Sequence, residues 1–193
     1  INMLSNLNKY QVILASKSPR RKDLLTALGV DFKVKEQTNQ DESYPETLQG
    51  AEIVEFLAKQ KSSSFETKEN ELIISADTIV CVENKVLGKP NNEYEAKEML
   101  KLLSGKTHQV FTGVCLKTKE KQRVFSVTSS VTFSSLSDEE IDFYIKNFQP
   151  FDKAGAYGIQ EWIGFIGIQS ISGSYWNVMG LPLQRLYQEL KKF

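Results

Sequence analysis

The run Leu72-Ile73-Ile74-Ser75-Ala76-Asp77-Thr78-Ile79-Val80-Cys81-Val82 decides the fold class. So long an apolar stretch, bounded by polar segments, predicts a buried β-strand. Upstream, Val12-Ile13-Leu14-Ala15 predicts a second, shorter buried strand, and Phe32 to Val34 a third. Helical signals lie between them. Ser18 fits an N-cap and Pro19 the first helical position; Leu24, Leu25 and Leu28 supply an apolar face, and Gly29 can close the helix. A second helix is expected from about Leu48 to Ser63, with Ile53, Val54, Leu57 and Ala58 on one face. Thr38 to Pro45 is polar and acidic and reads as a loop.

Downstream, Glu83-Asn84-Lys85 predicts a turn into Val86-Leu87-Gly88-Lys89-Pro90. Glu93 to Leu103 has a helical pattern, with Ala96, Met99, Leu100 and Leu103 inward. Gln109 to Lys117 and Arg123 to Phe133 read as antiparallel strands across a charged turn. Ser137-Asp138-Glu139-Glu140 is a capping-box pattern opening a helix to about Asn147. Phe165 to Ile171 and Tyr175 to Val178 are further strand candidates, and Pro182 opens a C-terminal helix. The expectation is an α/β fold with a mixed, twisted sheet flanked by helices.

The chain has 193 residues, with 24 basic and 24 acidic side chains, which suits one domain spanning residues 3–193. Met3 reads as a natural start, which leaves Ile1 and Asn2 outside the domain. Balanced charge disfavours a nucleic-acid binder or an anionic membrane surface. No signal peptide or membrane span is legible, so the cytoplasm is the expected compartment. Cys81 and Cys115 lie in apolar runs and read as free thiols. His108 is the single histidine, reads as a strand residue, and has no second candidate ligand for zinc.

Four places hold candidate chemistry. At Ser16-Lys17-Ser18-Pro19-Arg20-Arg21 a strand runs into a helix N-terminus, where unpaired N–H groups and the helix dipole favour phosphate. Arg20 and Arg21 add guanidinium donors; the plainer reading is a capped helix with solvated arginines. Asp77 interrupts an apolar strand, so it is a salt-bridged structural group or a functional one. With Asp41 and Glu42 it could supply oxygen ligands to a divalent cation. Lys89 sits between Gly88 and Pro90 on a stiff turn, as a surface lysine or a phosphate ligand. In Phe151 to Gln160, two glycines imply close backbone approach, and the Gln160 amide could read a base edge or be a plain loop amide. Trp162, Tyr175 and Trp176 carry no assigned role.

These segments, taken in order, resemble the signatures of the Maf family: Ser16 to Arg21 with Leu24-Leu25, Asp41-Glu42, Leu57-Ala58-Lys59-Gln60-Lys61, Ala76 to Val80, Leu87 to Pro90, Asp152 to Gln160, Gly173-Ser174-Tyr175 and Val178 to Pro182. The resemblance covers essentially the whole chain. It implies an α/β fold like that of inosine triphosphatases, two lobes with a deep cleft, and metal-dependent nucleotide pyrophosphatase activity. Asp77 would be the catalytic acceptor; Ser16, Arg20, Arg21, Lys61 and Lys89 would bind phosphate; Glu42 and Asp77 would bind Mg²⁺ or Mn²⁺. Arg20, Thr78 and Gln160 match the branch acting on dTTP and UTP, whereas the 7-methyl-GTP branch has tryptophan, glutamine and glutamate there. After Gln160 the family commonly has Gly-Arg-Gly or similar, but here the chain reads Glu161-Trp162-Ile163-Gly164, a departure that bears on base recognition.

The implied reaction is hydrolysis of a nucleoside triphosphate to the monophosphate and pyrophosphate, with possible house-cleaning of modified nucleotides. A homodimer is a family-level expectation. The competing reading is a non-catalytic nucleotide- or partner-binding regulator of cell division, after the family's association with septum formation. That reading predicts a lost carboxylate or lysine at one of the motifs, and none is lost.

Overall fold

The structure is a computed structural model that describes residues 2–36 and 41–193. Ile1 and the expected loop residues Thr38, Asn39 and Gln40 lie outside the described residues.

The strand expected at Val12 forms β1 (Gln11–Leu14), and α1 (Pro19–Ala27) follows it. Ser18 caps α1 by accepting the Arg21 N–H on its Oγ at 3.3 Å. After β2 (Lys33–Val34) the chain enters α2 (Ala51–Ser63). This helix starts later than the expected Leu48, because Leu48 and Gln49 are spent in turns and Gly50, at φ +51°, breaks the helical backbone. Then comes β3 (Glu71–Val82), the decisive strand. β1 pairs in parallel with β2 and with β3, Leu14 lying opposite Val34 and Ile74.

Glu83 and Asn84, at φ +49° and +63°, turn β3 into the antiparallel β4 (Lys85–Leu87). Left-handed values at two consecutive residues are what a tight hairpin demands. Next are α3 (Glu93–Leu103), β5 (Thr107–Lys117), β6 (Gln122–Phe133) and α4 (Asp138–Phe148), whose capping box between Ser137 and Glu140 is present as expected.

Two strand expectations fail. Phe165 to Gly167 belongs to a short helix, α5 (Trp162–Gly167), and only Ile168 onward is strand, as β7 (Ile168–Ser172). Tyr175 to Val178 is helical, within α6 (Tyr175–Met179). Short apolar runs do not distinguish the two states. Ser174 settles the second case, since its Oγ accepts the Asn177 N–H at 3.2 Å as a helix-starting residue does. The C-terminal α7 (Leu183–Leu190) follows Pro182 as expected.

Among the described residues, seven strands form a mixed sheet in the order β2-β1-β3-β5-β6-β7, with β4 on β3. The chain divides into two compact units. The first takes the residues up to Asp77, Thr112–Val127 and Gly180–Phe193; the second takes Thr78–Phe111 and Thr128–Met179. In the first, Ile13, Ala15 and Ile73 pack with Phe65. In the second, Val80, Leu100, Val131, Phe133, Tyr144, Tyr157 and Ile163 belong to one buried cluster. Among the described residues no helix is long and apolar enough to cross a membrane.

Candidate active site

In the first unit, the middle of β3, the start of α1 and the last turn of α2 bring charged side chains together. Strand β3 delivers Asp77 half-buried. Helix α2 delivers Lys61, which is buried, and its Nζ lies 2.5 Å from Asp77 Oδ1 and 3.5 Å from the Ala76 carbonyl. The two side chains are only 10% and 13% exposed, so water screens their attraction poorly.

Helix α2 holds this position through contacts with two strands. Ser75 Oγ on β3 donates to the Ala58 carbonyl at 2.7 Å. On β5, Gly113 lies so close that a Cβ there would sit 2.2 Å from the Val54 carbonyl oxygen. Only glycine allows that approach.

Arg21 comes from the first turn of α1, and its Nε donates to the Gly180 carbonyl at 2.8 Å. Burial pushes the guanidinium below its ordinary value; Asp77 draws it back up, Arg20 lowers it further and Glu42 raises it. Arg21 is thus within electrostatic reach of Asp77, Arg20 and Glu42. Ser16 Oγ accepts the Ser18 N–H at 3.1 Å, which shapes the loop into α1. Asp41 is turned to its own loop, accepting the Ser43 N–H at 2.8 Å, and Glu42 is exposed.

The first unit therefore gathers Arg21, Arg20, Glu42, Lys61 and Asp77, which lie scattered between positions 20 and 77 of the sequence. Asp77 is the salt-bridge partner of Lys61, as the plainer reading expects, and it also lies within electrostatic reach of Arg21.

For a divalent cation, no group of three His, Cys, Asp or Glu side chains among the described residues could hold one unaided. Two carboxylates within reach of Arg21 nonetheless fit a hard cation that arrives with a triphosphate. Mg²⁺ is commonly held by one or two carboxylates plus phosphate oxygens.

The second unit carries Thr78, Lys89 and Gln160. Thr78 is half-buried on β3 and Lys89 is exposed on its turn. That turn is tied to the glycine-bearing loop, since Gly155 N–H donates to the Gly88 carbonyl at 3.1 Å. Gly155 is at φ +72°, and a Cβ there would lie 2.9 Å from Val80 Cγ2. Both a left-handed backbone and a close approach make it glycine. Gln160 Oε1 is buried and accepts no hydrogen bond.

Sequence reasoning missed the groups that hold Gln160's loop: Tyr144, Lys153 and Glu161. Tyr144 OH donates to Glu161 Oε1 at 3.0 Å and accepts the Gly158 N–H at 3.0 Å. The only signal was the acid at 161 where the related pattern has glycine.

A family profile described as Maf, Maf-like protein, matches residues 11–193. The dTTP/UTP pyrophosphatase of Bacteroides thetaiotaomicron is 58% identical over 192 residues, covering 98% of this chain and 100% of that protein. That of Phocaeicola vulgatus is 59% identical over 192 residues with the same coverage. A dTTP/UTP pyrophosphatase of Porphyromonas gingivalis is 50% identical over 195 residues, covering 99% of this chain and 98% of that protein. Among solved structures, a HAM1 protein from Coxiella burnetii is similar with a TM-score of 0.48 and 12% identity, over 95% of this chain and 100% of that one.

Proposed function

We propose, from the premise that this chain belongs to the Maf family, that it is a nucleoside triphosphate pyrophosphatase acting on dTTP and UTP. The observation that carries the reading is the buried Lys61–Asp77 pair beside Arg21, a carboxylate set among cations at the start of a helix. The names of the curated relatives support the same reaction and the same substrates.

The chemistry follows from charge. Water must approach the α-phosphorus of a polyanion, so the phosphate charge has to be neutralised first. Arg20, Arg21 and Lys61 supply positive charge, and the Ser16–Ser18 loop leads into a helix N-terminus that favours phosphate. Lys89 is assigned to phosphate as well. Asp77 accepts the proton of the attacking water, and Lys61 fixes the orientation of its carboxylate through the 2.5 Å contact. As the bond to the β-phosphate breaks, the same cations stabilise the departing pyrophosphate. Glu42 and Asp77 are the residues that would hold Mg²⁺ or Mn²⁺, and a bound cation would supply further charge neutralisation.

Base choice falls to Arg20, Thr78 and Gln160. Thymine and uracil present an N3–H donor, and the buried, unbonded Oε1 of Gln160 is an acceptor suited to it. Cytosine presents an acceptor at N3 and cannot donate to that oxygen from the same position. The cytoplasm, where nucleoside triphosphates are abundant, is the compartment assigned to this activity.

One screen tests the whole reading: nucleoside triphosphates with Mg²⁺, with released pyrophosphate as the readout. dTTP and UTP should lead the profile, and excess EDTA should abolish turnover. Preference for 7-methyl-GTP would overturn the substrate assignment, and full turnover in EDTA would overturn the metal.

A further inference from the structure

Residues 158 to 161 form a tight turn in which the Glu161 N–H donates to the Gly158 carbonyl at 3.0 Å, with Gln160 in the second central position. One phenol oxygen holds both corners of that turn. Tyr144 OH accepts the Gly158 N–H at 3.0 Å and donates to Glu161 Oε1 at 3.0 Å. Burial pushes the Tyr144 phenol above its ordinary value, so it keeps the proton it donates. The same Glu161 oxygen lies 3.3 Å from Lys153 Nζ, with side chains only 18% and 12% exposed.

Three details make this more than a surface contact. Glu161 is the N-cap residue of α5, yet its side chain makes no cap bond and is turned instead to Tyr144. Gly158 leaves the room for it, as a Cβ there would lie 2.3 Å from Glu161 Oε1 and 3.2 Å from Gln160 Oε1. And the next residue repeats the grip, since Trp162 packs edge-on against Phe143 of α4 at 4.7 Å between ring centroids. Adjacent residues of α4 thus hold adjacent residues at the start of α5.

We propose that Glu161, held by Tyr144 and Lys153, is a positioning residue that fixes the Gln160 turn and thereby sets discrimination among bases. The proposal rests on the reading that Gln160 accepts from the base. A glycine at 161, as in the related pattern, has no side chain to make these contacts. Here the carboxylate supplies the order and α4 anchors it.

The test compares Glu161→Gln, Tyr144→Phe and Gln160→Ala, each alone, and the first two also in the Gln160→Ala background. The readouts are kcat and KM for dTTP, UTP and dCTP, and the inhibition constant of inorganic tripolyphosphate, which has no base. Glu161→Gln and Tyr144→Phe should each raise KM for dTTP and UTP about tenfold, with kcat within about twofold and tripolyphosphate inhibition unchanged. A loss of ground-state binding alone behaves in this way. Added to Gln160→Ala, neither should change the dTTP to dCTP preference further, because coupled residues lose their effect once the partner is gone. Tyr144→Phe removes one oxygen from a packed ring and decides the matter if Glu161→Gln does not fold.

Three results overturn the proposal in distinguishable ways. If Gln160→Ala abolishes the preference but the soluble positioning variants retain it, Glu161 does not position Gln160, while the base reading stands. If Gln160→Ala itself leaves the preference intact, the base reading fails and takes the proposal with it. A parallel loss of tripolyphosphate binding would show a general structural defect and also overturn it.

Discussion

Asp77 serves both as the buried partner of Lys61, at 2.5 Å, and as the proposed proton acceptor. Asp77→Asn keeps the shape and an oxygen for Lys61, but removes the charge. Turnover should fall by about 10²–10⁴ through loss of the base. Stability should fall as well, by up to about 3–5 kcal/mol, since Lys61 is left charged and buried. Added tripolyphosphate should restore much of the melting temperature but none of the turnover, because it returns negative charge without a base. A variant with normal kcat and a lowered Tm would make Asp77 structural only. Gln160→Glu puts a charge where the buried Oε1 stands and removes the amide donor, so kcat/KM for dTTP should drop by roughly 1–3 kcal/mol in transition-state terms. Unchanged relative kcat/KM across the bases would mean that Gln160 does not read them. The expense of Asp77 was legible in the sequence as a carboxylate in an apolar run. Its partner was not: Lys61 sits 16 residues upstream, and no local pattern links the two.

Helix α2 makes that pairing possible, and its position depends on a glycine in another element. The strand β5 reaches the backbone of α2 at Gly113, where a Cβ would meet the Val54 carbonyl at 2.2 Å. Gly113→Ala should force the helix off the strand, costing about 1–3 kcal/mol by overpacking, and should pull Lys61 away from Asp77. A chemical melt with a turnover assay checks both; an alanine variant with wild-type Tm and kcat would show that α2 does not need this approach. The pattern of what was legible follows the physics of each element. Helices α3 and α4 have polar caps at Asn92 and Ser137 and a sustained apolar face, so periodicity found them. α5 and α6 are only a turn or two long, and their aromatic and β-branched residues imitate strands. There the determinants are close approaches that periodicity does not show, as at Gly164, where a Cβ would lie 1.8 Å from the Ile159 carbonyl.

Each of the two units buries a group whose titration ties stability to pH. In the second unit His108, on β5, stacks against Phe133 at 5.5 Å between centroids, and its Nε2 lies 2.6 Å from Tyr157 OH. Its Nδ1 is buried with no partner. Burial lowers its pKa from 6.5 to about 4. The folded state therefore binds this proton less readily than the unfolded chain, so the contribution is whole above pH 6.5 and is lost as pH falls toward 4. In the first unit Glu189 accepts from Arg123 Nε and Arg185 Nε, each at 3.0 Å, and its side chain is 2% exposed. The Arg123 hydrogen bond leads in holding its pKa at about 2, against the ordinary 4.5. This second contribution is whole above pH 4.5 and is lost as pH falls through 2. Screening of its exposed arginine and lysine partners makes it the smaller of the two. The sequence offered His108 as a strand residue and gave no sign of its burial against Tyr157, because that depends on how the loop before Gln160 folds over the sheet. The wild-type melting temperature should begin to fall just below pH 6.5, earlier than carboxylates alone would cause. The loss attributable to His108 by pH 4 is about 3 kcal/mol, which is several degrees for a chain of this size. His108→Gln can still meet Tyr157 but cannot take up the proton, so its melting temperature should be level between pH 6.5 and 4.5 while the acid limb below 4.5 remains. Glu189→Gln should do the reverse, flattening the limb below 4.5 and leaving the upper one. If His108→Gln keeps the wild-type slope between pH 6.5 and 4.5, the buried imidazole is not the group that sets it.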